Sequence, residues 1–258
     1  MKIGIIGYGK MGRLIEIRAL ERGHTITGVV EPYGEEGKTS LGSAMYKTLP
    51  ELPDPDVAIE FTRPDRAVPN ILNLADRGIP GVIGTTGWYD RLDEVKRAVE
   101  KAGSSLLWAS NFSLGVHLFY RLAAIAAKLF DPFPEYDVGG WESHHNKKAD
   151  SPSGTAKILV DRVLAEMTRK EKPVWETLDR PLGPEELHYP SLRIGSVPGV
   201  HALLFDSPAD SVEIRHTARN REGLVSGALS GAEWLLRCSG GVPGKARQGI
   251  FTIDDVLG

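Results

Sequence analysis

The chain has 258 residues and a formal net charge of -3, with neither sign gathered into long runs, so nucleic acid and an anionic membrane surface are excluded as expected partners. Charged residues at 25% and hydrophobic ones at 41% are globular material for one large domain or two modest ones, which rules out wholesale disorder. The single cysteine, Cys238, lies in a stretch that reads as helix and permits no internal disulfide, which fits a reducing cytoplasm. Neither a basic-then-apolar leader nor an apolar span is read.

From the start to about residue 110, short apolar runs alternate with amphipathic stretches, the pattern of β-α-β units and a mostly parallel sheet. Strands are predicted at 2–6, 25–30, 57–61, 81–84 and 105–109, and surface helices at 11–22 and 90–101. After Asn111 a long apolar helix is predicted over 114–130, followed by β-like runs at 136–144, 201–207 and 212–218 that make an antiparallel or mixed sheet. One helix, 154–167, is inserted there with Ser153 as its cap. Residues 170–191, rich in Pro and charge, read as an exposed loop, and a last helix covers 223–237. The expected fold class is α/β, a Rossmann-type parallel-sheet domain joined to an α+β domain with a mixed sheet.

Gly7-Tyr8-Gly9-Lys10-Met11-Gly12 matches G-x-G-x-x-G between the first strand and the first helix. Glycines there let the backbone approach a pyrophosphate lying on the helix N-terminus. Glu31 ends the second strand 19 positions after Gly12, where a carboxylate accepts hydrogen bonds from an adenosine ribose. A dinucleotide is the expected cofactor. Pro32 follows Glu31 in place of Arg or Lys, so NADH is expected to serve at least as well as NADPH, with Lys38 or Arg13 as the cations available to a 2′-phosphate. Gly84-Thr85-Thr86-Gly87 and Ala109-Ser110-Asn111-Phe112 also follow strand ends, over the crevice where open α/β sheets bind ligands.

The densest polar cluster runs from Glu142 to Thr155 and holds His144, His145, Lys147 and Lys148. A group that titrates near neutrality, a cation and a helix N-terminus together suit binding a carboxylate-rich substrate and protonating it. Ser153, Gly154 and Thr155 open the helix, so their amides and hydroxyls can hold an anion. His144 or His145 is the general acid on this reading, and Lys148 a point charge or proton donor. Adjacent histidines on a strand face opposite ways, so no metal site is read from them. No phosphate-loop motif occurs, and Cys238 sits in an apolar context unsuited to covalent catalysis.

These motifs resemble the 4-hydroxy-tetrahydrodipicolinate reductase family of lysine and diaminopimelate biosynthesis. The likeness covers most of the chain and rests on the glycine loop, Glu60-Phe61-Thr62-Arg63-Pro64, Gly84 to Gly87, Asn111 to Val116, and above all His144-His145, Lys148, Asp150 and Pro152 to Ala156. It implies a cytoplasmic NADH- or NADPH-dependent oxidoreductase that passes a hydride to C4 of a cyclic imine dicarboxylate as water is lost. It also implies a dinucleotide-binding domain at 1–111, with 222–258 returning to it. A substrate-binding domain at 112–221 would make a homotetramer through its sheet. By the resemblance His144 is the proton donor or acceptor and Lys148 the second proton donor. His145, Ser153, Gly154 and Thr155 are the substrate shell. Gly7 to Gly12, Glu31, Gly84 to Thr86 and Ala109 to Phe112 are the cofactor shell. The chain departs from the family at Gly199-Val200-His201-Ala202, where Gly-Glu-His-Thr is usual, in the loop before it, and at Lys10, where arginine is commoner. Two further functions stay open: a paralogous reductase of another cyclic imine or unsaturated dicarboxylate, and a non-catalytic NAD-sensing module, which would have no use for His144, His145 and Lys148 together.

Overall fold

A computed structural model describes residues 1–34, 37–237 and 247–258; Cys238 lies outside them. The chain divides into two units, Met1–Leu114 with Arg221–Gly258, and Gly115–Asn220.

The first unit begins with β1 (Lys2–Ile6), α1 (Lys10–Glu21), β2 (Thr25–Val30), β3 (Gly37–Lys38), β4 (Ala44–Tyr46) and β5 (Val57–Glu60). It continues through α2 (Pro64–Asp76), β6 (Gly81–Ile83), α3 (Leu92–Ala102) and β7 (Ser105–Trp108). After the second unit the chain returns to it with α6 (Glu222–Leu236), β14 (Gly249–Thr252) and α7 (Ile253–Leu257). The sheet order is β14-β7-β6-β5-β1-β2-β4-β3, parallel throughout except for the β3–β4 pair. Strand alternation divides the apolar residues between two cores. Ile3, Ile5, Val57 and Ile59 pack with α1 and α6, whereas Ile6, Ala58 and Ile83 pack with α2 and α3. With both faces covered, the central strands are apolar at nearly every position.

The sequence reading passes over α2, because Pro69 lies inside it, although Pro64 stands at its first position, where proline is well tolerated. An interior proline costs a helix about 3 kcal/mol, and here burial of Val68, Ile71 and Leu74 against the sheet overrides that cost.

The second unit holds α4 (Leu114–Phe130), which starts at the boundary, then β8 (Asp137–His144), α5 (Gly154–Leu164), β9 (Lys172–Val174) and β10 (Glu186–His188). It is completed by β11 (Ser191–Arg193), β12 (Val200–Asp206) and β13 (Ser211–Thr217). A four-stranded sheet, β11-β8-β12-β13, is mixed: β11 runs parallel to β8, and the other pairs are antiparallel. Residues of α4 and α5 cover one face of it, packing on Leu203 and Phe205. Residues 170–191 are an exposed loop only in part: 175–185 carry no strand or helix and are mostly exposed, whereas the two ends of the segment form strands and are partly buried. There β9 pairs with β10, Leu187 and Tyr189 are fully buried, and buried Lys170 donates to the Glu186 carbonyl at 2.7 Å and pairs with Asp137 at 2.6 Å. The two buried charges of the segment, Lys170 and Glu186, are satisfied by partners, with Glu186 accepting from Arg180 at 2.7 Å. Among the described residues, no helix is long and apolar enough to cross a membrane.

Candidate active site

The turn from β1 into α1 carries the glycine motif, and sterics account for Gly7 and Gly12. Gly7 has φ +91°, and a Cβ on it would stand 2.2 Å from the Phe61 carbonyl oxygen. A Cβ on Gly12 would lie 2.1 Å from the Gly7 oxygen, so α1 meets the turn closely, whereas the space beside Gly9 is open. Tyr8 anchors the turn. Its amide donates to Glu31 Oε2 at 2.9 Å, and its hydroxyl donates to buried Glu16, which also accepts from Thr39 Oγ1 at 2.6 Å. Burial and the Glu16 bond push the Tyr8 phenol up to about 12.

A cavity of about 630 Å³ joins Gly7, Gly9 and Glu31 to Tyr33, Lys47, Arg63 and Arg66. An open backbone cradle beside a carboxylate fits a dinucleotide. Of the residues predicted for the cofactor shell, Lys10 is exposed and Met11 half-buried. The remaining ones follow the neighbouring strands β6 and β7 and do not line this cavity. Thr85 is buried and accepts from the Thr62 amide at 2.7 Å. A Cβ on Gly84 would meet the Phe61 ring at 2.1 Å, and Thr86 and Ser110 are exposed. Asn111 Oδ1 accepts from the Ser113 amide at 2.8 Å, while the Ala109 and Phe112 side chains belong to the core. Lys38 does not line the cavity, and Arg13 lies over the Tyr8 ring at 5.1 Å. Of the cations that do line it, Lys47 and Arg66 carry no local motif, and Arg63 lies in the Glu60 to Pro64 motif without having been read as a cofactor contact.

In the second unit, period-two alternation puts Glu142 and His144 on one face of β8. Pairing with β12 sets His201 opposite Glu142, and pairing with β11 sets Ser191 and Arg193 opposite Glu142 and His144. The N-terminus of α5 reaches the same carboxylate. Glu142 accepts from the Ser153 amide at 3.0 Å, the Ser153 hydroxyl, Ser191 Oγ at 2.7 Å and Arg193 Nη2 at 3.1 Å. Ser153 caps α5 by accepting from the Ala156 amide at 3.1 Å, and the space beside Gly154 is open. His145, the first residue beyond β8, is half-buried, as is Thr155, and Lys147 is exposed. Lys148 pairs with Asp150 at 2.7 Å. The structure thus brings His144, Lys148, Ser153 and Asp150 around one strand end, together with Glu142, which the sequence reading placed in the cluster without a role, and Ser191, Arg193 and His201, which it did not bring there. The i, i+2 spacing of Glu142 and His144 was the one available signal.

Burial pushes the His144 imidazole below its ordinary value, with Lys148 and Arg193 adding to the fall and Glu142 and Asp150 opposing it. Burial likewise pushes His201 down to about 4. Burial alone would raise Glu142, but the bonds from Ser153, Ser191 and Arg193 outweigh it and hold the carboxyl below its usual range. Lys148 holds Asp150 low in the same way. Glu142, His144 and His201 offer ligand atoms within 4.8 Å of one another, yet the four bonds that Glu142 accepts already satisfy its charge. Val200 alternates with His201 and so faces away from His144; the departure from the family motif lies on the far side of the sheet.

Family models described as dihydrodipicolinate reductase, N-terminus and C-terminus, match residues 1–112 and 115–257. A 4-hydroxy-tetrahydrodipicolinate reductase of Christiangramia forsetii is 35% identical over 257 residues, spanning 100% of this chain and 98% of the relative. One from Staphylococcus aureus is 32% identical, spanning 99% of this chain and 100% of the relative. Among solved structures, a dipicolinate-bound dihydrodipicolinate reductase from Paenisporosarcina sp. TG-14 matches with TM-score 0.77 at 22% identity, covering 98% of this chain and 97% of that one.

Proposed function

Since the chain belongs to the dihydrodipicolinate reductase family, and its activity is the pyridine-nucleotide-dependent reduction of 4-hydroxy-tetrahydrodipicolinate in lysine biosynthesis, we propose that the β8 strand end and the α5 N-terminus are its substrate site. The observation that carries this reading is the convergence of His144, Lys148 and the capped start of α5 on one strand end. The substrate is a dicarboxylate. The amides and hydroxyls at Ser153, Gly154 and Thr155 hold one carboxylate at the positive end of α5, and His145 holds the other.

Loss of water from the substrate needs a proton at the departing hydroxyl and releases one from the neighbouring ring carbon to solvent. Addition of hydride needs a proton back at that carbon, so one proton is consumed overall. His144 delivers one of the two incoming protons from its imidazole, and Lys148, oriented by Asp150, delivers the other. When bound, the reduced nicotinamide supplies the hydride that adds to C4. The glycine turn and Glu31 hold the dinucleotide. Glu31 supports NADH as the favoured form, because its carboxylate suits ribose hydroxyls, while Lys47, Arg63 and Arg66 are the cations that a 2′-phosphate would meet.

We also propose that the protein works in the cytoplasm as a homotetramer. Leu118, Leu122, Ile125 and Leu129 stand exposed at helical spacing on α4, and Val212 is exposed on the edge strand β13; apolar surface of that kind supports self-association. Light scattering on the purified protein tests it, and a monomer would refute it. The catalytic reading is tested by nicotinamide oxidation with substrate generated by the preceding synthase. Oxidation that disappears in His144→Gln is expected, and wild-type turnover in that variant would overturn it.

A further inference from the structure

Glu142 has no part in the roles proposed above, yet the fold devotes a buried position and four donors to it. It is fully buried on β8, and carboxylates are seldom taken from water without a reason tied to a neighbouring charge. Oε2 lies 3.4 Å from His144 Nδ1 and 3.9 Å from His201 Nδ1. The two rings meet edge to face, with centroids 5.3 Å apart and planes at 71°. On the other side of the His144 ring, Gly199 matters: a Cβ there would stand 3.1 Å from Nε2. The imidazole is thus flanked by a fixed carboxylate at Nδ1 and by a residue without a side chain at Nε2.

We propose that Glu142 is a positioning residue for His144, holding Nδ1 and stabilising the protonated ring so that Nε2 is the atom that serves the substrate, with His201 packed against the ring to fix its plane. This rests on the reading of His144 as the group that carries a proton. Ser153, Ser191 and Arg193 keep the carboxylate in place and ionised. The charged groups acting on His144 are Glu142 and Asp150, which favour its protonated form, and Lys148 and Arg193, which oppose it. His201, itself near Tyr189 and His216, is held neutral by burial, so it adds no competing charge at working pH. Among these neighbours Glu142 alone is a buried anion in contact with the ring.

The test uses the full chain with Glu142→Gln, which keeps size and much of the hydrogen bonding and removes the charge. A protonated His144 acts below its pKa, so activity falls as pH rises through that value, and losing the carboxylate lowers the value. The expected result is a kcat about 10- to 100-fold down, a substrate KM little changed, and an alkaline limb of the kcat profile displaced toward acid. A folded variant with unchanged kcat, or with lowered kcat and an unmoved limb, overturns the proposal. If Glu142→Gln does not fold, nitrogen NMR of the wild-type His144 ring decides: a neutral form protonated at Nδ1 supports the proposal, and one protonated at Nε2 overturns it. Wild-type turnover in His144→Gln, measured alongside, is the separate result that removes the His144 reading and the proposal together.

Discussion

Gly12 stands against the carbonyl of Gly7, so closely that a Cβ on Gly12 would lie 2.1 Å from that oxygen. Gly12→Ala must therefore push α1 away from the turn that holds the dinucleotide. Overpacking of this kind costs about 1 to 3 kcal/mol. We expect a lower melting temperature and weaker NADH binding, read by thermal unfolding and by nucleotide fluorescence titration. Unchanged affinity would show that the turn does not hold the cofactor.

Lys148→Ala removes a proton donor that belongs to the second unit. A general acid contributes about 100- to 10,000-fold, so kcat should fall within that range while NADH affinity measured by titration stays at the wild-type value. Loss of affinity for the nucleotide as well would point to a structural role.

Ser153 both caps α5 and donates twice to Glu142. Ser153→Ala keeps the amide bond and loses the hydroxyl, at a cost of about 1 to 2 kcal/mol in stability. A raised substrate KM should accompany the lowered stability, checked by denaturant unfolding and steady-state kinetics on the same preparation.

Acid should destabilise the second unit through its buried histidine. His201 is pushed down from 6.5 to about 4 by burial, so between those values the unfolded chain binds a proton that the folded chain does not. Stability is therefore full above about 6.5 and falls as pH drops toward 4, with His201 contributing up to about 3 kcal/mol of the fall. Glu142, also held low, acts in the same direction at lower pH. Urea unfolding at the two ends of the window should show the loss, and His201→Asn should flatten it.

Cofactor choice should divide between Glu31 and Lys47, which line one cavity. Lys47→Ala is expected to cut kcat/KM for NADPH by about tenfold, the value of one charge-assisted bond, and to leave NADH within about twofold. Glu31→Ala should weaken NADH more than NADPH. Equal effects of Lys47→Ala on both cofactors would separate this cation from the ribose.

Local order in the sequence carried much of this. Glycines spaced between an apolar strand and an amphipathic helix dictate the turn from β1 into α1, because few other residues fit its backbone. The apolar runs at 2–6, 25–30 and 105–109 reappear as β1, β2 and β7 within a residue or so, since a strand buried on both faces must be apolar throughout. Ser153 as a cap followed from its hydroxyl and its place before an apolar period, and the structure has that bond.

What local order could not supply is pairing between distant strands. Ser191, Arg193 and His201 meet Glu142 only because β11 and β12 flank β8 in one register, and a slip of a single residue would turn each of those side chains to the opposite face. The helix α2 was hidden for the same reason: Pro69 in its interior argues against it locally, and burial on the sheet outweighs that. Lys47, on the chain just beyond β4, lines the same cavity as Glu31 because β4 pairs with β2. Composition and spacing along the chain settled which chemical groups are present and which turns they make, whereas the surroundings that set the charge of His144 and Glu142 came from strand register and burial, which depend on the whole fold at once.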